Sequence, residues 1–165
     1  MDSVILRPAA FFEKLTPNFF DKVFTTCFKM ALAGKPLQLV ATSDIEYFGA
    51  EAFLNPEKYK GRTISLAGDM LTFEGMGLIF EQKTGQPLPM IFRPICSFFM
   101  AMMKDMGYIF QWYRKEGYRA DIPRLRETYP KMMDFATWLK KELDSRDSRI
   151  WKAHVMYSIM IYPTA

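Results

Sequence analysis

Residues 37–69 read LQLVATSDIEYFGAEAFLNPEKYKGRTISLAGD, a pattern of strand, helix, strand. Leu37, Leu39 and Val40 form a short apolar run that stops at Thr42-Ser43-Asp44. Ser43 with Glu46 three residues later is a capping-box pattern, in which the hydroxyl accepts from an orphan amide and the carboxylate answers. A helix is expected to open there. Ile45, Phe48, Ala52 and Phe53 then recur at helical spacing and make one apolar face. Asn55-Pro56 ends the helix, because proline disfavours helical geometry at the residue before it. Gly61 turns the chain, and Thr63-Ile64-Ser65-Leu66 resumes as a strand with β-branched residues. A strand, a crossover helix and a strand of this length predict parallel pairing in an α/β domain.

Outward from that unit, the chain opens with Val4-Ile5-Leu6, a compact apolar run of the kind found in strands buried on both faces. Residues 11–30 are aromatic-rich and helical, with Pro17 placed to open a second helix at its first turn. Gly34-Lys35-Pro36 is a loop. After the unit, Thr72 is an N-cap candidate, Phe73, Met76, Gly77 and Phe80 keep helical spacing, and Gly85 sits where a C-terminal glycine belongs. The proline-rich connection 86–94 carries a short edge strand at Met90-Ile91-Phe92. Residues 97–116 form one long helix ending at Gly117, and Asp121-Ile122-Pro123 opens another turn. Pro130 precedes a last helix with Met132, Phe135, Ala136, Leu139 and Leu143 on one face. The segment 155–162 is strand-like in composition.

With 165 residues the chain suffices for one domain with a real core. Its 13 Met are read first as core filling, since Met is flexible and fits irregular gaps. A net charge of +4 admits an anionic partner, yet Lys and Arg are scattered singly or in pairs. No basic stripe interleaved with aromatics is present, which argues against direct nucleic-acid binding. The start is acidic, and its apolar run is broken by Arg7 and Pro8, unlike a secretory leader. Residues 95–103 are almost wholly apolar but far short of the roughly 20 residues that a membrane span needs, so they read as a buried helix. Cys27 and Cys96, far apart in sequence, read as free thiols in a reduced intracellular setting.

One His and two distant Cys cannot supply the four ligands of a zinc site. His154 in an apolar tail is structural or incidental, since a catalytic base needs a nucleophile and an orienting partner. Gly75-Met76-Gly77 begins like a dinucleotide fingerprint, but Phe80 occupies the third glycine position and the pair lies inside a helical pattern. Asp44, Asp69 and Glu74 read as helix-end carboxylates rather than as an acid/base pair. No catalytic residue is assigned.

Three segments in order carry a family resemblance: Val4-Ile5-Leu6-Arg7-Pro8 with Phe11-Phe12-Glu13-Lys14-Leu15; Ala41-Thr42-Ser43-Asp44-Ile45 through Ala50-Glu51-Ala52-Phe53 to Tyr59-Lys60-Gly61; and Ile64-Ser65-Leu66-Ala67-Gly68-Asp69 with Leu71-Thr72-Phe73. Together they resemble the C-terminal half of an NmrA-like protein, an atypical branch of the short-chain dehydrogenase/reductase superfamily. The likeness runs from about Val4 to Leu143, which makes 1–143 a partial NmrA-like domain and leaves 144–165 as a divergent tail. It implies an α/β fold, the C-terminal part of a Rossmann-like NAD(P)-binding domain whose glycine-motif half is missing from this chain. Members are redox-sensing regulators or NAD(P)H-dependent reductases, in the cytoplasm or nucleus. The resemblance implies that Pro8, Phe11, Phe12, Glu13 and Lys14 form the loop reaching the nicotinamide end of NADP or NAD. Lys14 stands where the family has Asn, and Glu46 where a Gly follows Asp-Ile. The full-length family binds the cofactor; this chain by itself is expected not to, and to be catalytically inactive alone. An exposed sheet edge is expected to offer a surface for a protein partner or for self-association.

Overall fold

The computed structural model describes residues 3–15, 19–102 and 104–145. Pro17, His154 and the strand-like segment 155–162 lie outside the described residues. The chain opens with β1 (Ile5–Pro8) and β2 (Ala10–Phe11), then a 3-10 turn at Phe12–Leu15 and α1 (Phe19–Leu32). Next come β3 (Leu37–Val40), α2 (Thr42–Leu54), the single turn α3 (Pro56–Tyr59), β4 (Thr63–Leu66) and β5 (Asp69–Leu71). The rest is helical: α4 (Phe73–Thr84), α5 (Arg93–Met102), α6 (Lys104–Lys115), α7 (Ile122–Thr128) and α8 (Phe135–Asp144).

The strand–helix–strand reading of 37–69 holds, but its two strands do not pair with each other. The N-terminal segment joins them instead. β1 pairs parallel with β4, Leu6 opposite Ile64, and β2 pairs parallel with β3, Ala10 opposite Leu39. Ile5 and Ala9 donate to the carbonyls of Arg62 and Leu66 at 3.0 and 2.9 Å. β5, which has no sequence signal of its own, returns antiparallel along β3 with Leu39 opposite Asp69.

Alternation sorts the strand residues between two cores. Leu37 and Leu39 face a cluster with Phe12, Phe28, Met76, Phe135, Trp138 and Leu139, whereas Val40 packs with Phe48, Leu66, Leu125 and Met132. Phe12, Phe135 and Trp138 cluster with ring centroids 5.5–5.8 Å apart, Phe135 stacked on Trp138 and Phe12 tilted against both. Gln38, buried between, turns its amide to Ala120, donating to its carbonyl and accepting from its N–H, both at 2.8 Å.

Several local readings are corrected. Helix α2 begins at Thr42, so the cap position falls on Ala41, which has no side-chain acceptor, and Ser43 and Glu46 form no capping box. β1 is not buried on both faces: Ile5, 48% exposed, and Arg7 alternate onto an exposed face, with the half-buried Leu6 and Pro8 on the other. Residues 90–92 form no strand. The hydroxyl of Thr26 takes up the main-chain groups of Ile91 instead, accepting from its N–H at 2.8 Å and reaching its carbonyl at 3.4 Å. The long helix starts earlier, at Arg93, and is described as two, α5 and α6. It is not a buried helix, since Ile95, Phe98, Met102, Ile109 and Trp112 are exposed. Met132 precedes the last helix, which Asp134 caps by accepting from Thr137 N–H at 2.8 Å. Cys27 and Cys96 are not free thiols but a buried disulfide with Cα atoms 6.2 Å apart. Packing of α5 on α1 brings together positions that are 69 residues apart in sequence.

Other signals stand where the sequence put them. Thr72 Oγ1 accepts from Gly75 N–H at 3.0 Å, and Gly85 closes α4 at φ +70°, a conformation that favours glycine. Asp121 caps α7 through Arg124 N–H at 3.1 Å. No helix among the described residues is long and apolar enough to cross a membrane.

Candidate functional site at the strand ends

Parallel strands in an open α/β sheet direct their C-terminal ends to one side, where ligands bind in the crevice. Here β1 and β2 run from Ile5 to Phe11 and deliver residues 8–14 to that end, between the ends of β3 and β4. Pro8 closes β1 and is half-buried; Phe11, also half-buried, packs on the Val40–Phe48 cluster. Phe12 is fully buried within the other core. Lys14 is exposed.

Glu13 turns the opposite way from Lys14, onto the first turn of α2. Its Oε1 accepts from Thr42 N–H at 2.9 Å and from Thr42 Oγ1 at 2.8 Å. The carboxylate thereby supplies the cap that Ala41 lacks, and it lies at the positive end of the helix dipole. Its Oε2 is buried without a hydrogen-bond partner.

A second carboxylate, Asp44, lies in the first turn of α2. Asp44 is buried, and its Oδ2 accepts from Met133 N–H at 2.9 Å. Burial pushes its pKa above the usual carboxylate value; the Met133 bond and Lys141 pull it back, and Glu13 adds to the rise. Tyr129, whose ring stacks on Tyr47 at 3.7 Å, has its pKa raised by burial, by Asp44 and by Tyr47.

Asp69 continues the arrangement. Its Oδ1 accepts from Met70 N–H at 2.8 Å and its Oδ2 from Phe135 N–H at 3.1 Å. Arg126 donates to the Gly68 carbonyl at 2.8 Å. A Cβ on Gly68 would collide with the Met133 carbonyl oxygen, so only glycine permits this approach. Burial opposes the charge of Asp134, but the bonds from Thr137 together with Arg126 hold its carboxyl below the usual range. Asp44 and Asp69 thus bind the main chain entering α8 to the sheet end.

Of the predicted loop residues, Glu13 is joined to Thr42 and Phe11 packs with Val40 and Phe48, whereas Pro8 lies opposite Leu66, Lys14 is exposed and Phe12 belongs to the other core. Thr42, Gly68, Arg126 and Met133 escaped sequence reasoning. Thr42 lies beside the apparent Ser43 cap, and Gly68 carries no turn signal. Gly75 and Gly77 lie within α4 and build no phosphate-binding turn. Among the described residues no group of His, Cys, Asp and Glu could hold a metal ion.

The parallel pairings β1–β4 and β2–β3 and the many helices make a mixed α/β fold that is Rossmann-like. A solved nucleoside-diphosphate-sugar epimerase from Staphylococcus aureus shares it, with a TM-score of 0.59 at 14% identity over 85% of this chain. The chain spans about half the length of that structure, 52%. The family model of the NmrA-like family matches residues 12–143. The chain belongs to the NmrA-like family, an NAD(P)-binding branch of the atypical short-chain dehydrogenase/reductases. A search of curated proteins finds no match.

Proposed function

We propose that this chain is the nicotinamide-facing portion of an NmrA-like redox-sensing regulator and does not bind dinucleotide by itself. The observation that carries the reading is the delivery of residues 8–14 to the C-terminal ends of parallel strands, where this fold class takes its ligand. The residues fit one end of the cofactor. Glu13 Oε2 is a buried acceptor without a donor, and a nicotinamide carboxamide carries N–H donors. Phe11 and Pro8 would supply the apolar side, with Lys14 at the solvent margin.

They do not fit the pyrophosphate. A helix N-terminus is the ordinary cradle for such an anion, and the start of α2 is already taken by the Glu13 carboxylate. Two negative groups at one helix end repel. The dinucleotide's phosphates therefore need a glycine turn supplied by further polypeptide. When bound, the cofactor supplies hydride chemistry; in a regulator its redox state alone is read, and a protein partner receives the signal.

Calorimetric titration of the 165-residue chain with NADPH tests the first part. No micromolar binding is expected, and such binding would overturn the dependence on further polypeptide. The native protein, captured with an antibody against residues 37–69 and weighed intact, tests the second. It is expected to exceed 19.3 kDa and to bind NADPH without turning over quinones or enones. Turnover would replace the regulator by the second reading, a reductase of the same family.

A further inference from the structure

Helices α5 and α6 both pack on α1, which itself covers Leu37 and Leu39 of β3 through Cys27, Phe28 and Leu32. They form an outer layer on the side of the sheet opposite α2, whose Phe48 packs under Val40. Cys96 points inward from α5 and is fully buried. Away from it Ile95, Phe98 and Met102 recur at helical spacing and are exposed. α6 repeats the arrangement with Tyr108, Ile109 and Trp112 exposed. Both helices sit on α1, so the faces they turn away from it look to the same side of the molecule.

Positive charge gathers on the same segment. Between residues 90 and 119 five basic residues, Arg93, Lys104, Arg114, Lys115 and Arg119, stand against two acidic ones, Asp105 and Glu116. That excess is three of the four net positive charges of the whole chain. Glu116 is engaged within the segment, by Arg119 at 3.3 Å. Arg93 opens α5, and Arg114 and Lys115 close α6, all three exposed.

We propose that this face docks on an anionic lipid surface, with α5 and α6 lying flat in the headgroup layer. Amphipathic helices with large apolar side chains on one face and cations beside them bind in this way. An anionic bilayer offers apolar chains beneath a layer of negative charge at every point, the pattern that this face complements. Tyr108 and Trp112 add rings with an apolar body and a polar edge, which settle at the water–lipid boundary. Arg93, Arg114 and Lys115 can lay their stems along the apolar layer and keep their charged ends among the headgroups. A protein partner would need an apolar patch with an acidic rim of matching outline. The face is reached from α1 and not from the strand ends, so the proposal stands apart from the cofactor reading.

Flotation of the full chain with lipid vesicles is the test, with phosphatidylcholine alone and with about one part in four of phosphatidylserine added. Wild type is expected to float with the anionic vesicles, less so as salt screens the charges, and to stay in solution with the neutral ones. Phe98→Asp and Ile109→Asp, each at an exposed side chain and each confirmed folded by a thermal melt, are expected to weaken binding at least about tenfold. Lys115→Glu is expected to act in the same direction. Phe53→Asp, exposed on α2 across the sheet, and Ile159→Asp, in the apolar C-terminal segment, are expected to leave binding unchanged. A chain that ignores anionic vesicles overturns the proposal, whatever protein the face captures. So does equal binding to neutral vesicles, binding insensitive to both Phe98→Asp and Ile109→Asp, or binding lost with Phe53→Asp or Ile159→Asp instead.

Discussion

Glu13 caps helix α2 through Thr42, a residue 29 positions away, by accepting from both its N–H and its hydroxyl. The helix carries no cap of its own at Ala41. One carboxylate therefore joins the turn after β2 to the turn after β3 and sets how the two strand ends face each other.

Loss of that cap has a predictable cost. Glu13→Ala is expected to destabilise the chain by about 1 kcal/mol, the ordinary worth of an N-cap. Glu13→Gln keeps an acceptor for Thr42 and gives up the charge at the helix end, so it should recover most of the loss. Urea unfolding of the three proteins, compared at their midpoints, decides it.

Asp44 gives a pH dependence of definite sign. Its folded pKa is raised above the ordinary aspartate value of 3.8, so between those two pKa values the folded state holds a proton that the unfolded state has released. Stability from this group is greatest below 3.8, falls as pH rises through the window, and is flat above the folded pKa. Asp134, whose pKa is lowered, acts below 3.8: its contribution is lost as pH falls toward its folded pKa. Asp44→Asn keeps an acceptor for Met133 without the buried charge. Its stability relative to wild type should therefore climb from acid toward neutral pH. A flat difference would show that Asp44 titrates normally.

Gly68→Ala places a methyl group into the Met133 carbonyl. The backbone must move apart where Arg126 and Asp44 hold it, and overpacking of this kind costs roughly 1–3 kcal/mol. Gly49→Ala, where nothing lies within contact distance, is the matching control and should gain slightly from better helix propensity. Thermal midpoints of the two variants separate the effects.

The Cys27–Cys96 bond ties α1 to α5 across 69 residues. Removal of such a cross-link costs roughly 2–5 kcal/mol, chiefly by freeing the unfolded chain. A reductant should lower the urea midpoint of wild type. Cys96→Ala should start at the lower value and show no further response.

Much of the architecture was legible in local chemistry. Thr72, Asp121, Gly85 and Gly117 end their helices where their residue types place them, because a cap is a contact over three or four residues. The family segments likewise lay in plain view. Pairing partners did not. Nothing in Leu37–Val40 says that it will lie beside Ala10 rather than Thr63, since both neighbours satisfy the same main-chain groups. The Ser43 reading failed because a carboxylate 29 residues upstream filled the role that a local hydroxyl normally has. The disulfide failed for the same reason, as spacing along the chain carries no distance in space. Of the loop residues, Phe11 and Phe12 are indistinguishable by type; only the alternation at the end of β2 sends one half outward and the other into the core.

The hydroxyl of Thr26 holds the main chain of the 86–92 connection to α1 at Ile91, where a strand would have used a ladder, and the buried Leu88 anchors the same segment in the core. Two points three residues apart therefore fix this segment, one apolar and one polar, so its path is set by side chains rather than by a main-chain ladder.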